Sequence, residues 1–376
     1  MRTAIKKTFL RIVFVANICF ILLLLASDVA PFLNPYTWWP FALMGIIFPL
    51  FLATIFLFFI FWLFVNRRKA VLSLLALLIS IPNILSTFGM AFSSSFKQAK
   101  EKNDLRIVTW NTGLMNYGAP DDNTAIYNNA TIFRKLKEID ADVLCLQEFF
   151  TAVVPGNQLN FIDSIAKTLN YPYHYFSLDL PKFDGKFYMG TIIFSRYAIA
   201  DTQKIDYPKP FAGSIIRAGV IVPGDTIDII TTRLQSVHFQ RNEYKQLNDI
   251  KTGSDSELTG LRNIIAKLRL GYKRRVEQVQ LVKELISKSN RPLVFTGDLN
   301  DIPVSYTYSQ IRNNLKDTWV KKGYGLGRTF VYISPTLRID QIFYNSHFTA
   351  RQVKRIFAEG GSDHNALVAD LTLKKE

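Results

Sequence analysis

The chain has 376 residues, of which 49% are hydrophobic, and carries a formal net charge of +15. Residues 1–96 hold most of the apolar excess with seven basic residues and one acid, so the remainder keeps a charge of +9. This division argues against a purely soluble protein, and the basic remainder suits either an anionic partner or a solvated basic surface. The two cysteines and four histidines are too scattered for a zinc site.

Three apolar stretches occupy the first ninety residues, at 12–26, 38–65 and 70–90. The first resembles a signal peptide, but Asp28 follows it and no small-residue cleavage site is evident. The second is long enough to cross a bilayer with some tilt. We therefore predict that residues 1–90 are a membrane anchor of three transmembrane helices.

The distribution of basic residues predicts how this anchor is oriented. Four basic residues precede the first stretch, three more lie at residues 67–69, and the loop at 27–36 has none. Cytoplasmic loops are enriched in Lys and Arg, so the N-terminus is expected in the cytoplasm. With three crossings, the rest of the chain is expected to be extracytoplasmic, on the periplasmic or extracellular side.

A polar linker at 91–104 precedes a single predicted domain at 105–376. Apolar runs and hydrophobic spacing predict its elements in chain order: strand 105–110, helix 125–138, strand 143–146, helix 158–169, strands 191–194, 215–222 and 226–232, helix 258–289, and strands 293–296, 339–344 and 367–373. Strands outnumber helices, and hairpins are mixed with crossovers. This pattern predicts an α+β sandwich, with two stacked sheets and helices outside.

Polar side chains recur where the predicted strands begin or end. They are Asn111, Glu148, Asp298 with Asn300, Asp340, and Asp363 with His364. Each of these residues alone is common in a loop. Together they predict that the side chains converge on one rim of the sheets.

The chemistry of such a rim follows from its residue types. Carboxylates without a Cys/His cluster favour a hard cation such as Mg²⁺ or Mn²⁺. Amides hold phosphoryl oxygens without competing charge, and an imidazole beside acids can exchange protons near neutral pH. This equipment suits attack of water on a phosphate ester. A covalent nucleophile is less suitable, because no G-x-S-x-G occurs and Cys145 lies inside an apolar run.

In this order, the motifs resemble those of the endonuclease/exonuclease/phosphatase superfamily, over residues 105–373. The matching segments are L-R-I-V-T-W-N-T, L-Q-E, G-T-I-I-F-S-R-Y, G-D-L-N-D, R-I-D-Q-I-F and S-D-H. The resemblance implies a four-layer αββα sandwich of the DNase I type and a divalent-metal phosphoesterase.

The resemblance also implies a metal site built by three of these residues. Glu148 is expected to be the principal ligand and Asp363 to complete the site. Asn111 is expected near both the metal and the phosphate.

Four further positions carry implied catalytic roles. Asp298 would orient or deprotonate the attacking water, and Asn300 would bind the phosphate. Asp340 would hold His364, which would contact or activate the scissile phosphate. The resemblance does not decide whether Asp298 or His364 is the base.

One position departs from the family pattern. T-T-R-L-Q-S at 231–236 resembles a family segment that often has a histidine where this chain has Arg233. Arginine is a strong phosphate clamp but cannot donate a proton near neutral pH. His238 is expected to point elsewhere, and His174 and His347 to be ordinary histidines.

The sequence therefore favours a membrane-anchored phosphoesterase using Mg²⁺ or Mn²⁺, held by the lipid bilayer and with no obligate protein partner. Its substrate is expected to be a phosphodiester of nucleic acid or phospholipid, and cations along Lys267–Arg275 suit either polyanion. The alternative is a catalytically weakened binding or scaffold module of the same fold, supported by Arg233 alone.

Overall fold

The computed structural model describes residues 2–92, 96–116, 125–236, 255–332 and 334–374. The chain forms two compact units. The first comprises Met1–Thr87 with Ile302–Gln310, and the second comprises Phe88–Asp301 with Ile311–Glu376. The chain therefore leaves the second unit after Asp301 and returns to it at Ile311.

The N-terminal part of the first unit is helical. Its helices are α1 (Arg2–Asp28), α2 (Pro35–Val65), α3 (Arg67–Ile79) and α4 (Ile81–Thr87). Helices α1 and α2 are long and apolar enough to cross a membrane, and α3 with α4 add a third candidate only if this pair, bent by 54°, counts as one span. The bend follows from Pro82, which lacks an N–H for the helical ladder.

Polar side chains inside the first unit pair with one another. Asn17 Nδ2 donates to Ser73 Oγ at 3.0 Å. Ser80 Oγ and Asn83 Nδ2 donate to the two carboxylate oxygens of Asp28, at 2.6 and 2.9 Å. Such pairs tie apolar helices together, because an unpaired polar group is costly among them. Both link α1 to the α3–α4 pair.

The second unit is built mainly of strands. They are β1 (Gly89–Met90), β2 (Asp104–Asn111), β3 (Val143–Ala152), β4 (Tyr173–Phe176), β5 (Leu180–Lys182), β6 (Phe187–Ser195), β7 (Ile199–Asp206), β8 (Ser214–Val222), β9 (Asp225–Arg233), β10 (Leu293–Asp298), β11 (Lys316–Asp317), β12 (Tyr324–Gly325), β13 (Asp340–Tyr344), β14 (Phe348–Ile356) and β15 (Ala366–Leu373). The remaining helices are α5 (Ala125–Ile139), α6 (Phe161–Thr168), α7 (Asp255–Ser287), α8 (Tyr306–Arg312) and α9 (Thr318–Lys322).

Two large sheets organise this unit. One has the order β14-β15-β2-β3-β6-β4, with β5 also on β6, and the other has the order β11-β13-β10-β9-β8-β7. Among the described strands, each large sheet contains one parallel pair, β2 with β3 and β9 with β10, and its other pairs are antiparallel.

Alternation along the strands divides the core into layers. On β2, Ile107 faces the second sheet in a cluster that includes Ile229 and Val294, whereas Val108 packs with Ile132 of α5. Successive strand residues point to opposite faces, so one strand serves both layers. Helix α7 buries residues at helical spacing for the outer layer, namely Tyr272, Val276, Val279, Val282 and Leu285. The predicted four-layer αββα sandwich, preceded by apolar helices, is confirmed.

The strands that sequence patterns missed are polar or irregular. β7 reads I-A-D-T-Q-K-I-D and β14 reads F-T-A-R-Q-V-K-R-I, both at sheet edges. Pairing with the neighbouring strand, rather than side-chain hydrophobicity, determines their conformation.

Candidate active site

The two parallel strand pairs bring four polar side chains to one place. Asn111 ends β2, Arg233 ends β9 and Asp298 ends β10, and Glu148 lies within β3, directly after its pairing with β2. The Asn111 amide joins the two sheets, because its Nδ2 donates to Glu148 Oε1 at 3.1 Å and to Asp298 Oδ2 at 3.0 Å. The Asn111 oxygen accepts the Gly113 N–H at 3.1 Å, which fixes the amide orientation.

A β-bulge turns Glu148 toward this place. The register of β3 against β6 shifts between Leu146 and Phe149, and Glu148 has a φ of 46°. Bulges re-aim side chains near functional sites, and positive φ at a non-glycine residue is strained. Gln147, beside it, points between the sheets and donates to Thr231 Oγ1 at 2.9 Å. The sequence around Gln147 did not predict this hydrogen bond between the two sheets.

The Asp298 carboxylate is fully buried and held by the residues that follow it. Its Oδ1 accepts the Asn300 backbone N–H at 2.8 Å, and its Oδ2 accepts Asn300 Nδ2 at 2.9 Å. Asn300 Nδ2 also donates to the Leu234 carbonyl at 2.9 Å. Burial, with the Asp340 carboxylate adding to it, raises the pKa of Asp298 to about 6, against the lowering effects of His364, Arg233 and Asn111.

Asp340 and His364 form a buried pair beside Asp298. His364 Nδ1 lies 2.9 Å from Asp340 Oδ2, and His364 Nε2 lies 4.0 Å from Asp298 Oδ2. Burial alone would lower the pKa of His364, but the carboxylates of Asp340 and Asp298 outweigh it and raise this pKa to about 10. The pair is oriented so that only Nε2 remains for a substrate.

Residues without a clear sequence signal hold this pair in place. Thr329 Oγ1 accepts the Asp340 N–H at 3.1 Å, and Ser362 Oγ accepts the His364 N–H at 3.0 Å. The Phe330 ring packs edge-on against the imidazole, with 5.1 Å between centroids. Of these, only Ser362 lies within a motif that the sequence singled out.

Arg233 contacts the residue that was expected to be the principal metal ligand. Its Nη2 lies 2.7 Å from Glu148 Oε1, and its Nε lies 3.7 Å from Asp298 Oδ2. Parallel pairing of β9 with β10 places Arg233 directly opposite Asp298. The guanidinium therefore neutralises part of the charge that a metal ion would otherwise balance.

The donor set suits a hard divalent cation. Carboxylates outnumber cationic side chains here, and they belong to Glu148, Asp298, Asp340 and Asp363. Burial raises the pKa of Asp363, which His364 opposes and the Glu148 charge reinforces. Asp340 Oδ1 is buried and has no hydrogen-bond partner among the described residues. An oxygen-rich group with excess negative charge and an unsatisfied carboxylate oxygen fits Mg²⁺ or Mn²⁺.

Two combinations of these residues are metal-binding candidates. Ligand atoms of Asp298, Asp340 and His364 lie within 4.8 Å of one another. In the set expected from the sequence, Asn111 bonds Glu148 and Asp298, and the Glu148 charge acts on Asp363.

The other histidines and the basic stretch are placed as follows. His174 lies on β4 against the Phe194 ring, and His347 lies between β13 and β14. His238 falls outside the described residues. Arg275, counted in the basic stretch, is buried near Asp301 and donates to the Gln235 carbonyl at 2.9 Å, so it is not part of an exposed basic face.

Fold and site define a class of protein, and comparison identifies it. The family model described as Endonuclease/Exonuclease/phosphatase family matches residues 108–364, and this chain belongs to that family. Its members are phosphoesterases and nucleases that generally depend on divalent metals. A second model, a domain of unknown function (DUF8431), matches residues 10–87.

Solved structures share the fold at low sequence identity. An endonuclease/exonuclease/phosphatase from Beutenbergia cavernae DSM 12333 is 22% identical over 72% of each chain, with a TM-score of 0.50. A humanised D. rerio TDP2 with 14 mutations is 18% identical, with 72% of this chain and 100% of that chain covered and a TM-score of 0.50. No curated protein matches this chain. At these identities the structural likeness concerns the fold alone.

Proposed function

We propose that this protein is a membrane-anchored phosphoesterase that uses Mg²⁺ or Mn²⁺ to hydrolyse a phosphate ester. One observation carries the proposal. The Asn111 amide bonds both Glu148 and Asp298, and the Asp340–His364 pair lies beside Asp298. The groups needed to bind a cation and to orient water are thus linked within one buried network.

Three residues would hold the cation, namely Glu148, Asn111 and Asp363. When bound, the ion supplies charge neutralisation at the phosphoryl oxygen. Asn111 would turn its amide oxygen toward this group, exchanging the Gly113 N–H for the cation or a phosphate.

Asp298, Asn300, Asp340 and His364 would do the proton and positioning work. Asp298 would orient or deprotonate the attacking water, since its carboxylate is fixed by hydrogen bonds on both oxygens. Asn300 would offer the phosphate the N–H that now points to the Leu234 carbonyl. Asp340 would hold His364 so that Nε2 contacts the scissile phosphate.

Arg233 would bind the phosphate, but only after its guanidinium leaves Glu148. The two side chains are about one-fifth exposed, at 21% and 20%, so the pair is accessible to an incoming anion. A phosphate offers the guanidinium bidentate acceptors comparable to those of the carboxylate. Arg233 would then stabilise developing charge without donating a proton.

We propose a phosphodiester of nucleic acid or phospholipid as substrate. The second unit carries excess positive charge, and α7 presents Lys267, Arg269, Lys273 and Arg274 as half-buried or exposed side chains. Basic groups of this kind favour a polyanion of either class. Two or three apolar helices near the N-terminus favour a lipid, since a membrane would then hold enzyme and substrate together.

We also propose that the N-terminus is cytoplasmic and the second unit extracytoplasmic. Contacts within the first unit support a third crossing, because Lys69 Nζ lies 4.1 Å from the Phe14 ring centroid and Asn83 bonds Asp28. The α3–α4 pair thus follows α1 in the same direction, from the middle of α1 to its end. This parallel direction is the one expected if the α3–α4 pair crosses the membrane as a third span.

The full chain in detergent micelles should be assayed with DNA, RNA, sphingomyelin, phosphoinositides and bis(p-nitrophenyl) phosphate, with Mg²⁺ or Mn²⁺. We expect hydrolysis of at least one substrate. The rate of hydrolysis should fall by ~100-fold or more in Asp298→Ala and in His364→Ala. Asp206→Ala, an exposed carboxylate on β7, is the matched control and should keep wild-type activity.

The alternative is a catalytically weakened scaffold module of the same fold. The ion pair between Arg233 and Glu148 favours it, because the pair occupies the expected metal ligand. Absence of hydrolysis with either metal, or equal rates in wild type and both variants, would establish this alternative and reject the enzyme.

A further inference from the structure

Two arginines of the second unit lie at the sheet edge that carries the candidate active site. Strand β14 is antiparallel to β15, which is antiparallel to β2, so β14 runs in the same direction as β2. Arg355, next to the carboxyl end of β14, therefore lies at the same edge as Asn111, which ends β2. Arg355 Nη1 donates to the Arg328 carbonyl at 2.8 Å, and this bond brings Arg328 to that edge.

Two backbone hydrogen bonds hold a neighbouring loop against the chain on both sides of His364. The Thr329 carbonyl accepts the Asn365 N–H at 2.7 Å, and the Val331 N–H donates to the Asp363 carbonyl at 2.9 Å. Thr329 directly follows the arginine at position 328, and consecutive Cα atoms are about 3.8 Å apart. The backbone of that arginine is therefore held close to the histidine.

Exposed aromatic side chains accompany the two arginines. The Tyr332 residue is 56% exposed, and its ring packs edge-on against Phe330, with 5.8 Å between centroids. Phe330 is the residue that packs against the active-site imidazole, and its carbonyl accepts a hydrogen bond from Arg328 Nε at 2.7 Å. Phe357 is 59% exposed, and Arg355 Cζ lies 4.6 Å from its ring centroid. Cations and exposed aromatic rings thus lie side by side here.

The charge of the two guanidiniums is not balanced by nearby acids. Both arginines are half-buried. Burial and the charge of Arg328 both lower the pKa of Arg355. Within the part of the chain that the structure describes, neither guanidinium forms an ion pair with a carboxylate. Two like charges that are partly withdrawn from water favour a bound anion.

A cavity beside Arg355 provides room for such an anion. Its volume is about 340 Å³, and its basic lining residues are Lys135, Lys354 and Arg355. Lys135 is already paired, because its Nζ lies 2.5 Å from Glu359 Oε1 and 3.7 Å from Glu138 Oε2. Among the described lining residues, the cations left for an incoming anion are therefore Lys354, which is exposed, and Arg355.

We propose that Arg328 and Arg355 bind a second phosphate of a single-stranded nucleic acid, next to the phosphate that is hydrolysed. Guanidiniums bind phosphate oxygens bidentately, so a phosphate would balance both charges. Tyr332 and Phe357 offer exposed faces for bases, and surfaces that bind single strands combine such rings with cations. A phospholipid headgroup has no base to stack there. The role in substrate choice rests on the proposed function, whereas binding of the strand does not.

The first test measures binding without hydrolysis. Fluorescence anisotropy of a labelled oligothymidylate is followed with the full chain in detergent micelles and EDTA. Arg328→Gln and Arg355→Gln should each raise the Kd by ~10-fold, because each removes a charged hydrogen bond. Each should also lower the slope of log K against log salt by about 0.7. Arg351→Gln, which removes an exposed arginine of the same strand, should match wild type.

A substitution at Tyr332 tests stacking separately from charge. Tyr332→Ala should raise the Kd for oligothymidylate by ~5-fold or more and leave the salt slope unchanged. Tyr173→Ala is the control, because Tyr173 is also exposed but lies on β4, at the opposite edge of the same sheet. An equal Kd in Tyr332→Ala and wild type would overturn the stacking contact.

Hydrolysis with added metal connects the subsite to the substrate. Arg355→Gln should raise KM for oligothymidylate by ~10-fold with little change in kcat. It should leave hydrolysis of bis(p-nitrophenyl) phosphate, which has a single phosphate, at the wild-type rate. That unchanged rate also shows that the variant is folded.

Inositol 1,4,5-trisphosphate provides the lipid-headgroup arm of the binding test. Wild type that does not bind oligothymidylate, or an unchanged Kd in both arginine variants, would overturn the subsite. Arginine variants that weaken binding of the trisphosphate alone would assign the subsite to a phosphoinositide and overturn the nucleic acid. Wild type that binds oligothymidylate through these arginines but hydrolyses no substrate would reject the proposed function and support the subsite.

Discussion

The contact between Arg233 and Glu148 decides how the site responds to a cation. A guanidinium 2.7 Å from the carboxylate competes with any ion that Glu148 would bind. The pair is only partly exposed, and such ion pairs contribute up to about 1 kcal/mol. Metal binding at Glu148 must therefore overcome this contact, and phosphate binding by Arg233 would relieve it.

Replacing Arg233 with glutamine should strengthen metal binding. Arg233→Gln removes the competing charge, and about 1 kcal/mol corresponds to a Kd for Mg²⁺ lower by ~5-fold. Isothermal titration of the full chain measures this value directly. Arg351→Gln, which removes an exposed arginine paired with Glu101, should leave the Kd unchanged. Weaker or equal Mg²⁺ binding by Arg233→Gln would show that Arg233 does not compete at Glu148.

Sequence patterns identified the candidate residues but not how they pair. Asn111 and Asp298 follow apolar runs and end their strands, so their place could be predicted, whereas Glu148 was expected after a strand end and lies within β3, which continues to Ala152. The contact between Arg233 and Glu148 depends on the parallel register of β9 with β10 and on the bulge at Glu148. Both are tertiary features, and no local pattern specifies them.

At the scale of elements, Gly297 shows why the aspartate motif begins with glycine. Its φ is 146°, and a Cβ there would lie 2.2 Å from the Thr232 carbonyl oxygen on β9. Close approach of β10 to β9 is what sets Asp298 opposite Arg233. The glycine is therefore required by the backbone and not by the chemistry.

Gly297→Ala should destabilise the second unit more than a matched glycine substitution does. A forced positive φ and the clash with β9 together cost about 2 kcal/mol or more. Gly224→Ala is the control, because its φ of 95° lies in a turn with nothing within 4 Å of the added Cβ. Thermal unfolding of both variants measures the difference. Equal unfolding midpoints would contradict the close approach of the two strands.

Element prediction succeeded where side-chain pattern and pairing agree. The strands 293–296 and 367–373 were expected, and the structure has Leu293–Asp298 and Ala366–Leu373. The third apolar stretch shows the opposite case, because Pro82 divides it into α3 and α4 although its composition is continuous. The missing N–H of Pro82 thus interrupts a helix that the hydrophobic composition of residues 70–90 predicts to be continuous.

At the scale of the whole molecule, the number of membrane crossings that we propose for the N-terminal helices determines on which side of the membrane the second unit lies. Three membrane crossings would place the second unit on the opposite side from the N-terminus, whereas two crossings would place the second unit and the N-terminus on the same side. Basic residues at the N-terminus and at 67–69 favour a cytoplasmic position for both segments.

Cysteine labelling with a membrane-impermeant maleimide on intact cells tests this topology. In a Cys19→Ser background, Phe32→Cys and Glu101→Cys should be labelled and Arg67→Cys should not, since only the first two lie in segments that we propose to be extracytoplasmic. Cys145 is buried and should not react. Permeabilised cells provide the control, because all three introduced thiols should then react. Labelling of Arg67→Cys alone in intact cells would reverse the proposed orientation.

The central claim is that the network of Glu148, Asn111, Asp298, Asp340 and His364 is a metal-dependent phosphoesterase site. The most direct measurement is hydrolysis of bis(p-nitrophenyl) phosphate by the full chain after chelation, as Mg²⁺ or Mn²⁺ is added back. We predict no hydrolysis without metal, saturable recovery with it, and a requirement for ~10-fold or more metal in Glu148→Gln. Hydrolysis that persists after chelation, or an unchanged metal requirement in Glu148→Gln, would contradict the account.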